Sequence, residues 1–84
     1  MKTVLIQNGS YSKGLELIRN LLAENNHTDN FIKNRVICVD KPEKVYDLQE
    51  FLSYEEFTFF PLTEDAHPDV RQNIDEIIIV PENV

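Results

Sequence analysis

The stretch Arg35-Val36-Ile37-Cys38-Val39-Asp40-Lys41-Pro42-Glu43 decides the fold. Its apolar run, Val36 to Val39, shows no alternation, which is the pattern of a strand covered on both faces and therefore central in its sheet. Asp40 stands three residues before Glu43, and Pro42 lies where the first turn of a helix would be. A carboxylate there can accept hydrogen bonds from free N–H groups, and proline has no N–H to satisfy, so a helix starts at this point. Val45, Leu48, Phe51 and Leu52 supply its buried face, which puts the helix at about 41 to 53.

Working outward, Lys2 to Gln7 carries Val4, Leu5 and Ile6 and stops at Asn8-Gly9-Ser10, which reads as a buried strand ending in a turn. Leu15, Leu17, Ile18, Leu21 and Leu22 then form a helical stripe, with Glu16, Arg19, Asn20 and Glu24 on the other side, predicting a helix from about 12 to 25. The polar run from Asn25 through His27 and Asp29 to Asn30 breaks it. On the carboxyl side, Phe57 to Leu62 is rich in strand formers. Pro61 lacks the N–H that a central ladder needs, so this strand belongs at an edge or ends there. Ile77 to Val80 is the most β-prone run, bounded by Asp75-Glu76 and Pro81. Between them, Pro68 could open one helical turn through Arg71.

The order is β-α-β-α-β, a short helical turn, then β: a single α/β domain with a small three- or four-stranded, mainly parallel sheet and right-handed crossovers. The connection across 63 to 74 is long enough to return the last strand in either direction. Two helices are too few to cover both faces of four strands. Either the 63 to 73 segment closes the remainder or a second chain does, which permits a homo-oligomer.

The length of 84 residues fits one domain, and 42% hydrophobic with 27% charged residues is a globular composition. The apolar run at Val4 to Ile6 is too short for a signal peptide or a membrane span, and the lone Cys38 has no intrachain disulfide partner. A reducing, cytoplasmic setting is expected. Residues 1 to 54 hold seven basic and seven acidic side chains, whereas residues 55 to 84 set Arg71 against eight acids, so the whole net charge of −7 lies after Tyr54. Such a field repels phosphate backbones and attracts basic surfaces, which argues against direct nucleic-acid binding.

Two places could carry function. The first is the loop Asn8-Gly9-Ser10-Tyr11-Ser12-Lys13-Gly14 between the first strand and the first helix. Ligands of parallel α/β sheets bind at the carboxyl ends of strands, where helix N-termini offer N–H groups to anions. Gly9 and Gly14 would let backbone approach a phosphate, Ser10 and Ser12 could donate hydroxyls, and Lys13 could add charge. The two glycines have Walker A spacing, but Leu15-Glu16 stands where that motif needs Lys and Ser or Thr. Leu5-Ile6-Gln7-Asn8-Gly9-Ser10 with Lys13-Gly14 resembles the phosphate loop of flavodoxin-like quinone and FMN reductases. The resemblance is confined to the loop, since those enzymes use a longer, five-stranded core. The alternative is a glycine-containing turn feeding a Ser-capped helix.

The second place is the acidic third, where Tyr54, Phe57, Phe59 and Phe60 interleave with acids. Glu55, Glu56, Phe60, Glu64, Asp65 and Asp69 compose a contact patch for a basic protein partner, against the alternative of core packing with a soluble rim. His27 and His67 with Asp29, Glu64, Asp65 and Asp69 lack metal-ligand spacing. No nucleophile elbow or Cys/His signature is present, so no catalytic set and no cofactor is assigned. The sequence therefore points to a non-enzymatic interaction domain, a regulator or inhibitor. A nucleotide, flavin or phosphate binder using Asn8 to Gly14 is the alternative, and a structural subunit of a larger assembly the third.

Overall fold

A computed structural model describes residues 2–26, 33–62 and 74–81. In chain order it contains β1 (Lys2–Gln7), α1 (Ser12–Glu24), β2 (Asn34–Asp40), a 3₁₀ helix (Pro42–Phe51), β3 (Phe57–Pro61) and β4 (Glu76–Ile79). The strands form one sheet in the order β3-β2-β1-β4, and every neighbouring pair is parallel. The fold is the small α/β domain read from the sequence, with β4 returning parallel. β2 is central, as its unbroken apolar run requires, and β3 is an edge that ends on Pro61. The helical turn expected around Pro68 lies outside the described residues.

Register and alternation sort the side chains. Val4, Ile6, Val36, Cys38 and Phe57 share one face, and Ile18 and Leu22 of α1 and Leu48 and Phe51 of the 3₁₀ helix join them in the buried core. Both helical elements thus cover the same face, as two right-handed crossovers stepping in one direction, from β1 to β2 to β3, must. Arg19 joins them on the outside: its guanidinium donates to Glu50 at 2.5 Å and lies 5.9 Å from the centre of the Phe51 ring. On the other face Leu5 and Val39 are buried, Ile37 and Phe60 half-buried, and Ile77 and Ile79 exposed.

The second helical element departs from the expectation in kind. It is a 3₁₀ helix ten residues long, whereas such helices seldom exceed one turn. With three residues per turn, Val45, Leu48 and Phe51 fall in one inward row, and Leu52, a residue further on, is turned out to 47% exposure. An α-helix would have kept Leu52 on the buried side. The amino-terminal cap position is Lys41 and has no side-chain cap bond. Asp40, the expected cap, lies one residue before it, and its Oδ1 accepts from the Lys41 N–H at 2.7 Å. At the start of β2, buried Asn34 and Asn25 exchange two hydrogen bonds, Asn34 N–H to Asn25 Oδ1 at 2.6 Å and Asn25 Nδ2 to the Asn34 carbonyl at 2.9 Å. Asn25 thus does more than end α1: it pins the helix to the next strand.

Candidate functional site

The loop after β1 stands at the carboxyl edge of the sheet. From β1 the chain steps to β2 on one side, and β4 fills the other, so Asn8 to Tyr11 occupies the point where the topology reverses. Asn8 adopts φ 64°, a left-handed conformation that asparagine tolerates. Its N–H donates to the Val39 carbonyl at 2.9 Å and its side-chain amide to the Val80 carbonyl at 3.4 Å, so one residue ties the ends of three strands.

Ser10 is engaged elsewhere than the sequence suggested. Its hydroxyl donates to Asp40 Oδ2 at 2.6 Å and its N–H to the same oxygen at 3.2 Å. Asp40 is only 4% exposed, and with the Lys41 N–H on its other oxygen the carboxylate is compensated by three donors. The Ser-capped helix is also corrected: the cap position of α1 is Tyr11, with no side-chain bond, while Ser12 and Lys13 are exposed in its first turn. An anion at this turn would meet the N–H groups of α1 and Lys13 but also the nearby charge of Asp40.

The two glycines have a packing explanation. A Cβ on Gly14 would lie 2.6 Å from the Gly9 carbonyl oxygen and 2.7 Å from its Cα; one on Gly9 would lie 2.5 Å from Cys38 Sγ. Only bare backbone lets the first turn of α1 sit on the loop and the loop sit on β2. Burial pushes the Cys38 thiol up to about 12, with Asp40 adding to the rise and a hydrogen bond from the Gly9 backbone opposing it. It is a core residue and no nucleophile.

Of the acidic patch, Glu55, Glu56 and Phe60 lie among the described residues. Glu55 is exposed and Glu56 half-buried in the turn before β3, while half-buried Phe60 lies near the far end of that strand, about 13 Å away along it. Glu64, Asp65 and Asp69 lie outside the described residues, as do His27, Asp29 and His67. A row that sequence reading missed does form. Glu43, Tyr46, Gln49 and Leu52 recur at intervals of three on the outside of the 3₁₀ helix, Tyr46 at 73% exposure, and exposed Tyr54 and Glu55 come next in the chain. The spacing of three was the signal, hidden because 3.6 was assumed.

Among the described residues no cluster of three His, Cys, Asp or Glu could hold a metal ion, and no helix is long and apolar enough to cross a membrane. Set beside known proteins, the chain matches no protein family, no characterised protein and no solved structure.

Proposed function

We propose that this chain is a non-enzymatic interaction domain, a regulator or inhibitor acting in the cytoplasm, whose acidic side engages a basic protein surface. The observation that supports it is the outward row of Tyr46 and Leu52, continued by Tyr54 and accompanied by exposed Glu43, Asp47 and Glu55. Exposed aromatics amid acids supply what a basic partner needs: apolar area for affinity, and charge for steering and register. The excess of acids after Tyr54 extends the same field. Immobilised protein should retain basic partners from a cell extract at low salt and release them as salt rises. Tyr46→Ala with Tyr54→Ala, and separately Glu43→Gln with Glu55→Gln, should each reduce that capture while the unfolding midpoint holds. Capture that neither pair of changes alters would refute the reading.

A second reading is favoured by the position of the Asn8 to Gly14 loop at the topological reversal, where phosphate-bearing ligands of parallel sheets bind. With Ser10 held by Asp40, the contacts left for such a ligand are the Ser12 hydroxyl, Lys13 and the amides of α1. A panel of nucleotides, flavins and phosphosugars tested by thermal unfolding decides it: ligand at ~100 times its dissociation constant adds about 2.7 kcal/mol. Ser12→Ala with Lys13→Ala should then erase the shift.

A further inference from the structure

We propose that Asn8 is a site of spontaneous deamidation, gated by release of the carboxyl end of β4, and that its product leaves that end untied. Asn8-Gly9 is the one Asn-Gly pair in the chain. In such a pair the backbone nitrogen of the glycine can attack the asparagine side-chain carbon Cγ, because glycine brings no side chain to hinder the approach. The new C–N bond closes a succinimide ring. The bond from Cγ to Nδ2 breaks, and Nδ2 leaves as ammonia with the proton given up by the Gly9 nitrogen. Water then opens the ring at either carbonyl, giving aspartate or isoaspartate. No oxidant, reductant or cofactor enters the balance.

In the closed fold both reacting groups are held. Asn8 donates its N–H to the Val39 carbonyl at 2.9 Å, accepts the Tyr11 N–H at 3.3 Å and directs Nδ2 to the Val80 carbonyl at 3.4 Å. Gly9 is buried, with Cys38 Sγ standing against it and its own N–H bonded to that thiol. Attack therefore requires Nδ2 to let go of Val80 and Gly9 to leave Cys38. The longest of these ties is the one to Val80, which follows a strand of only four residues, so opening starts there. The product cannot remake the tie. A carboxylate has no N–H for the Val80 carbonyl and sets oxygen against oxygen. Isoaspartate also lengthens the backbone at the residue whose φ of 64° joins three strand ends. Each conversion is one-way and leaves the Val80 N–H bond to the Gln7 carbonyl without this neighbour.

The full chain, kept at mildly alkaline pH either folded or in urea and then mapped by mass spectrometry, reads conversion at Asn8 directly. Folded protein should convert measurably but at least about tenfold more slowly than denatured protein, because only the open fraction reacts. Val80 is 4% exposed, and Val80→Ala, by loosening that anchor, should quicken folded-state conversion at least about threefold. Should that variant fail to fold, urea below the unfolding transition should quicken the parent in the same way. Asn8→Asp should speed hydrogen exchange at the Val80 amide. Equal rates in folded and denatured protein would overturn the proposal, as would an Asn8 amide that survives in either state. So would conversion indifferent to both loosening treatments, or Val80 exchange unchanged by Asn8→Asp.

Discussion

Gly14 shows how a single position can oppose its own element. In an exposed helix Gly→Ala gains about 1 kcal/mol, yet here the added methyl would meet the backbone of Gly9 at 2.6 to 2.8 Å. Backbone cannot swing aside as a side chain can, so Gly14→Ala is expected to destabilise by about 1 to 3 kcal/mol in denaturant unfolding. Cys38 offers a test in pH. Its thiol is raised from 9.0 to about 12 in the folded protein, so folded and unfolded chains are both protonated below 9.0 and its stabilising contribution is full there. Between 9.0 and about 12 the unfolded chain releases the proton and the folded one keeps it, so this residue alone lowers stability with rising pH. The loss approaches about 1.4 kcal/mol per pH unit. Cys38→Ala should flatten that slope in unfolding curves taken at successive alkaline pH values. The burial of Cys38 was legible in its apolar neighbours. The engagement of Ser10 by Asp40 was not, because a bond spanning 30 residues depends on how two strands line up.

The elements divide along the same line. β1, α1 and β2 were readable because their patterns are strong and local: an unalternating apolar run makes a central strand, and a stripe at 3.6 spacing makes an α-helix. The 3₁₀ helix was misread in its period, and Leu52 carries the difference. Leu48→Ala should cost about 2 to 5 kcal/mol, being fully buried among the core residues, whereas Leu52→Ser should change stability by less than about 0.5 kcal/mol. Comparable losses at the two sites would mean that the element winds as an α-helix. Of the acidic patch, the composition was legible in the sequence, and Glu55, Glu56 and Phe60 are the members the structure describes. Glu56 and Phe60 are separated along a strand, while Tyr46 and Leu52 are turned outward by a helix whose row spacing was unknown from sequence.

For the whole molecule, the strand order β3-β2-β1-β4 could not be read, because the parallel return of β4 beside β1 is a long-range choice. That order puts the Asn8 loop at the reversal point, and it makes the crossover from β2 to β3 the carrier of the outward row on the 3₁₀ helix. A basic partner held by that row should be released by salt, since the attraction acts across solvent and is screened within about 8 Å at physiological ionic strength. The order also has a consequence for biosynthesis. Thr3 bonds to Asp75 across 72 residues of sequence, so β1, synthesised first, gets its outer neighbour only when β4 leaves the ribosome. Until β4 is available the Val4-Leu5-Ile6 edge of β1 lacks this partner, so a chain truncated before residue 76 should expose that edge to other strands.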